Sequence, residues 1–348
     1  MTKRFSGVLI GCGFFARNHM QGWAGLPGVE IIGVCDLDPV RSQAFAQEFA
    51  TTAYTDAEAM LAELKPDFVD IATTVVSHRA LVELAAHYTK LVICQKPFAE
   101  TLADGAAMVA ACRATGTRLI VHENFRWQLP FKALKAALDQ GKIGQPKFLR
   151  LSFRHAFDVY ANQPYLAEVH DLALTDIGLH LFDLARHLMG DVTRVFCETQ
   201  RLNPAVKGQD AFLASLRHAS GAVSSVDCSF YSHQAPEPFP ETLAWLEGDS
   251  GTLEITRGYC LRLHRNGLVT QTNVEPEVPS WGSKPWHGVQ DSVIAFQSHA
   301  IDTLDGLSLP QPSGAHNLET LALTLAAIQS AHSGQAIEIA AFRAAGVN

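Results

Sequence analysis

The sequence has no block of basic residues, no CxxC pair, no internal repeat and no low-complexity tract. With a net charge of −8 and no basic cluster, nothing in it attracts a polyphosphate backbone, so nucleic-acid binding is not expected. Its seven cysteines (Cys12, Cys35, Cys94, Cys112, Cys197, Cys228 and Cys260) are odd in number and scattered, several inside apolar runs. They read as reduced, buried thiols rather than as disulfides or metal ligands. The opening stretch MTKRFSGVLIGCG is apolar for only a few residues before glycines interrupt it, so neither a signal peptide nor a membrane span fits and a cytoplasmic protein is expected. At 348 residues, 47% hydrophobic and 18% charged, the chain has a globular composition and room for two domains. Small-molecule chemistry is the class that remains.

Short apolar runs alternate with helical patterns as far as about residue 122. Val8 to Ile10, Ile31 to Val34, Phe68 to Ile71, Leu91 to Cys94 and Leu119 to Val121 suit strands of a parallel sheet covered on both faces. Leu81, Leu84, Ala85 and Tyr88 repeat at helical spacing, as do Gly105, Met108, Val109 and Cys112 behind a Thr101 to Asp104 capping box. After a short helix from Pro130 to a stop at Gly141, the period changes to two. Leu149, Leu151 and Phe153 alternate with Arg150, Ser152 and Arg154, while Ala222, Val226, Cys228 and Phe230 are expected on the face opposite Asp227 and Ser229. Leu243 and Trp245, the turn Gly248 to Gly251, and Leu253 with Ile255 predict a hairpin in a mostly antiparallel sheet. Two amphipathic helices follow, marked by Val289, Val293, Phe296 and Ala300, then by Leu318, Leu321, Leu325 and Ile328.

Gly11-Cys12-Gly13-Phe14-Phe15-Ala16 closes the first strand and opens a helix. Missing side chains there let backbone N–H groups approach a pyrophosphate at the helix N-terminus. Asp36 ends the next apolar run, where a carboxylate accepts from both adenosine ribose hydroxyls and repels a 2′-phosphate; with Asp38 and Arg41 nearby, NAD is expected rather than NADP. Lys96, beside Pro97, lies just beyond the carboxyl end of a strand, where it either reaches a substrate oxygen or is a solvated surface lysine. Between Leu172 and Met189, Ile177, Leu181, Leu184 and Leu188 form one helical stripe and Asp176, His180, Asp183 and His187 another. One packs; the other either faces a cleft, with Asp176 orienting His180 as a general base, or is a satisfied polar stripe. No second ligand cluster accompanies these histidines and aspartates, so no metal is expected. His155 to Tyr165 and Pro279 to His287, rich in aromatic and polar residues without a regular period, read as binding loops. Arg126, Trp127, His155 and His287 are candidate sugar contacts, with Asp158, Tyr165 and Trp286 beside them.

The glycine motif, Lys96-Pro97, the run His122-Glu123-Asn124-Phe125-Arg126-Trp127 and the run Asp176-Ile177-Gly178-Leu179-His180-Leu181-Phe182-Asp183 together resemble the Gfo/Idh/MocA oxidoreductases along essentially the whole chain. That resemblance implies an α/β fold: an N-terminal Rossmann domain with a doubly wound parallel sheet over 1–123, then an α+β domain over 124–348 with a mostly antiparallel open sheet for substrate binding and oligomerisation. The last helices are expected to pack back toward the Rossmann domain, and the active site to lie between the domains. The resemblance implies NAD-dependent oxidation of a carbinol in a small polyhydroxylated substrate by a homodimer or homotetramer. Lys96, Asp176 and His180 are similar to the family's catalytic trio, with Lys96 or His180 as the base. Gly11, Gly13, Phe14, Phe15, Asp36, Thr73, His78, Gln95 and Lys96 are the expected cofactor residues. Gln95 departs from the family's usual glutamate. The strings Cys12 to Ala16, Cys94 to Phe98 and Asn124 to Gln128 are similar to the branch that oxidises D-apiose to its lactone. An inositol or other sugar would leave these motifs unchanged, and a non-catalytic NAD-binding regulator is the alternative of another class.

Overall fold

The computed structural model describes residues 5–346. The chain divides into two compact units, one formed by the described residues up to Glu123 together with Val293–Glu319, the other by Asn124–Ser292 and the described residues from Thr320 onward.

The first unit holds six parallel strands, β1 (Phe5–Ile10), β2 (Val29–Cys35), β3 (Thr52–Tyr54), β4 (Phe68–Ile71), β5 (Leu91–Gln95) and β6 (Arg118–His122), in the order β3-β2-β1-β4-β5-β6. This is the doubly wound order of a dinucleotide fold. β4 and β5 are buried along their whole length, which is why they read as apolar runs interrupted only by Asp70 in β4 and Gln95 at the end of β5. Helix Leu102–Thr115 starts where the Thr101 hydroxyl oxygen accepts from Asp104 N and ends at Gly116 with φ +74°. Tyr88, expected within the preceding helix, lies beyond its end at Ala85. The segment Val293–Glu319 completes this unit. Phe296 packs on the His122 ring at 4.4 Å, Arg118 Nη1 donates to Leu304 O, and Val121 N donates to Pro312 O beside an Ile120–Ser313 bridge. The edge of β6 is thereby covered.

The second unit is built on nine strands, β7 (Pro146–Arg154), β8 (Val192–Gln200), β9 (Ala211–His218), β10 (Val223–Ser229), β11 (Leu243–Gly248), β12 (Thr252–Thr256), β13 (Cys260–Arg265), β14 (Leu268–Asn273) and β15 (Ile337–Glu338). Their order is β14-β13-β12-β11-β7-β10-β9-β8-β15, and every neighbouring pair is antiparallel except β7 with β10. Leu149, Leu151, Phe153, Ala214, Val226, Cys228 and Leu246 share a core with Leu181, Phe182, Leu184 and Leu188 of helix Leu179–Met189. The β11–β12 hairpin forms as expected, with Leu253 and Ile255 of β12 turned inward. Ala244 and Leu246 sit opposite Ile255 and Leu253 and are buried, while Trp245 points outward and is 37% exposed. Asp227 and Ser229 are buried as well, so β10 is not half-buried as its alternation predicted. Asp227 tolerates this because Ser152 Oγ and Arg154 Nη1 donate to its Oδ1 at 2.9 and 2.8 Å.

Candidate active site

In the parallel sheet Ile10 is level with Cys35 and Ile71, Ile71 with Cys94, and Cys94 with Val121. The residues that follow these positions, Gly11, Asp36, Ala72, Gln95 and His122, therefore emerge along one carboxyl edge, where open α/β sheets bind ligands. Gly11 has φ +99°, and a Cβ there would lie 2.7 Å from Ala72 O, so only glycine fits the turn. A Cβ on Gly13 would meet nothing within 4 Å, leaving the backbone open to an approaching group. Helix Ala16–Gly25 begins at Phe15 without a side-chain cap and without an acid in its first turn, which suits a pyrophosphate at its N-terminus. Phe14 is exposed and Phe15 half-buried against His19 and His122.

Asp36 is half-buried at the end of β2. Its Oδ2 accepts from Cys12 N at 2.8 Å and its Oδ1 from Asp38 N at 2.9 Å, so one carboxylate fixes the glycine turn and stands where a ribose would arrive. Burial, with Asp36 adjoining, pushes the Cys12 thiol up to about 12. All seven cysteines are free and six are buried. Thr73 receives the Ser77 hydroxyl at 2.8 Å. His78 is fully buried behind it, its ring nitrogens 3.2 Å from the Thr73 and Phe98 carbonyl oxygens, and burial holds its pKa below the usual histidine range. A side chain so placed supports Thr73 from behind.

The Lys96–Pro97 bond is cis. Behind it runs a buried chain of hydrogen bonds that the sequence reading did not foresee. Trp23 Nε1 donates to Asp70 Oδ2 at 2.7 Å, and His19 Nδ1 lies 2.8 Å from the same oxygen. His19 Nε2 lies 3.0 Å from Gln95 Nε2, and Lys96 N donates to Gln95 Oε1 at 2.6 Å. His19 stacks on His122 at 4.1 Å, and Gln297 Nε2 holds its backbone carbonyl. The one signal available was Asp70, a charge in the middle of an otherwise apolar buried strand, which demands partners.

In the second unit Asp176 lies in a π-helical turn, Ala173–Gly178, that leads into helix Leu179–Met189. His180 is buried and stacks on Phe125 at 4.0 Å and 3°. The expected polar stripe is split. Asp183 is fully buried and takes the Arg126 guanidinium in a fork, Nε to Oδ2 at 2.7 Å and Nη2 to Oδ1 at 2.6 Å. Arg126, expected among the sugar contacts, is thus committed to Asp183. Trp127 is half-buried. His155 is boxed by Phe153, Phe230 and Phe239, and burial, opposed by Glu237 and Asp176, lowers its pKa to about 4. His287 is buried 3.3 Å from Glu275 and edge-on to Tyr259. Asp158 caps its own turn by accepting from Tyr160 N and Ala161 N; Trp286 packs on Phe157 and Phe239, and Tyr165 is exposed. Tyr160 was not anticipated. Its hydroxyl is buried with no hydrogen-bond partner among the described residues, and burial, with Asp210 and Asp176, pushes it up to about 12. No group of three or more His, Cys, Asp or Glu among the described residues is arranged to hold a metal ion.

Residues 5–123 match the oxidoreductase family with an NAD-binding Rossmann fold known as Gfo/Idh/MocA, and residues 131–254 match its C-terminal domain. The chain belongs to this family. D-apiose dehydrogenase of Paraburkholderia graminis is 49% identical over 345 residues, 99% of this chain and 92% of that protein. D-apiose dehydrogenase of Rhizobium rhizogenes is 46% identical over 98% of this chain and 99% of that protein. An oxidoreductase from Agrobacterium radiobacter, crystallised in complex with NAD+, L-tartaric acid and magnesium, superposes with a TM-score of 0.95 at 45% identity, covering 97% of this chain and 99% of that one. As a Gfo/Idh/MocA protein the chain is a dehydrogenase that uses NAD, and the glycine turn, the uncapped helix start and Asp36 fit that cofactor.

Proposed function

We propose that the protein oxidises the ring carbinol of D-apiose to its lactone, D-apiose and NAD+ giving lactone, NADH and a proton. The observation that carries this reading is full-length likeness to two D-apiose dehydrogenases at 49% and 46% identity. Bound NAD supplies the hydride acceptor. His180, its ring oriented by the stack on Phe125 and its charge balanced by Asp176, takes the carbinol proton; Lys96 stabilises the oxygen as charge develops there. Gly11, Gly13, Phe14, Phe15 and Asp36 seat the dinucleotide, with Thr73 backed by His78. Trp127, His155 and His287 are proposed sugar contacts, whereas Arg126 serves by holding Asp183.

The protein is proposed to be a cytoplasmic homo-oligomer. No helix among the described residues is long and apolar enough to cross a membrane. On the outward sheet face Trp245, Arg150, Ser225, Ser215 and Phe196 form one cross-strand row, and the exposed Trp245, Phe196 and Leu213 give this mixed surface the apolar anchors that suit a second copy. Light scattering on the eluting protein reads the subunit number.

The deciding assay follows NADH absorbance with NAD, and separately NADP, against D-apiose, other aldoses, inositols and hydroxy acids. Turnover with D-apiose that is lost in Lys96→Ala and His180→Ala supports the reading. Preference for an inositol or another sugar moves the substrate, and tight NAD binding with no turnover across the panel moves the protein to a regulator.

A further inference from the structure

The buried chain behind Lys96 has only one self-consistent set of protons. A backbone N–H only donates, so the atom 2.6 Å from Lys96 N is the Gln95 amide oxygen, and the amide nitrogen faces His19. An amide NH2 also only donates, so His19 Nε2, 3.0 Å away, accepts with its lone pair. His19 then carries its proton on Nδ1 and gives it to Asp70 Oδ2, which receives the Trp23 indole N–H as well. Asp70 Oδ2 is the accepting end of a relay in which every donor points the same way. Asp70, His19 and His122 are all buried, and the His122 ring that stacks on His19 closes its other face.

From this geometry we propose that Gln95 is a positioning residue for Lys96, fixing His19 as its neutral Nδ1–H form and anchoring the Lys96 backbone in register with β5. The proposal rests on the reading of Lys96 as a residue of the reaction. Position 95 must accept at one end and donate at the other. A glutamate accepts at both ends and meets the His19 lone pair unless the ring gains a second proton; a methionine fills the same length and does neither. The glutamate also brings a charge beside Lys96, so it is the uncharged methionine that isolates where the Lys96 backbone sits.

The test uses the full-length protein with 15N-labelled histidine rings, the His19 signals assigned by their loss in His19→Gln, alongside kinetics of wild type, Q95E, Q95M and K96A with the sugar that the panel selects. The expected result is an Nδ1–H tautomer for wild-type His19 and a doubly protonated ring in Q95E. In both Gln95 variants kcat should fall roughly tenfold to a hundredfold, by more than any accompanying change in NAD affinity read by quenching of protein fluorescence. A wild-type ring protonated on Nε2 or on both nitrogens overturns the relay, and this reading needs no variant to fold. Near-normal kcat in Q95M with turnover lost in K96A overturns the positioning role alone. Turnover retained in K96A overturns the underlying reading of Lys96, and the role of Gln95 with it.

Discussion

Asp36 performs two tasks with one carboxylate, holding the glycine turn through Cys12 N and presenting charge at the end of β2. Asp36→Ala is expected to raise the KM for NAD about tenfold to a hundredfold, the range for losing hydrogen bonds to a charged group, and to narrow the preference over NADP. Steady-state kinetics with each cofactor reads both effects. His155 carries a pH dependence. Its folded pKa of about 4 lies below the ordinary 6.5, so the neutral ring contributes stability that is fully present above about pH 6.5 and lost as pH falls toward 4. That difference corresponds to about 3 kcal/mol, and His155→Phe, which keeps the aromatic box filled, should flatten the acid decline relative to wild type in urea unfolding followed across pH. At this scale the glycine motif and Asp36 were legible because their chemistry is local in sequence. The relay was not, because it joins His19, Asp70 and Gln95 from different elements, and no spacing rule connects them.

Between elements, the Arg126–Asp183 fork fastens the turn Phe125–Trp127 to helix Leu179–Met189, and that turn carries Phe125, the ring on which His180 stacks. Arg126→Ala strands a buried carboxylate and is expected to cost about 3–5 kcal/mol in denaturant unfolding, with Arg126→Met plus Asp183→Leu regaining most of it. If the single variant loses stability no further than an exposed substitution does, the pair is not the fastening it looks to be. The strands of the parallel sheet were readable except β3, whose three residues, Thr52–Tyr54, are too few to show a period. Which side of β11 faces inward was not legible for a different reason. Trp245 is the more hydrophobic side chain, yet the register set by β7 and β12 turns it outward and buries the smaller Ala244.

At the scale of the molecule, NAD bound by the native state alone should raise stability by about 2.7 kcal/mol when present at a hundredfold its dissociation constant. A thermal midpoint that rises with NAD concentration, and rises less with NADP, is the expected outcome; equal shifts would remove the selectivity assigned to Asp36. The first unit is also discontinuous. Its sheet is finished by β6 at His122, but the packing on that ring and the pairing along that edge come from Phe296, Pro312 and Ser313. During synthesis, strands β7 to β14 of the second unit all leave the ribosome in between. The dinucleotide half, first to emerge, must wait with an open flank until residue 319 has passed, and the second unit, which takes β15 and the core residues Leu323, Ala326, Ala327 and Ile339 from beyond Thr320, is completed later still, so neither half is whole until the last helices have left the ribosome.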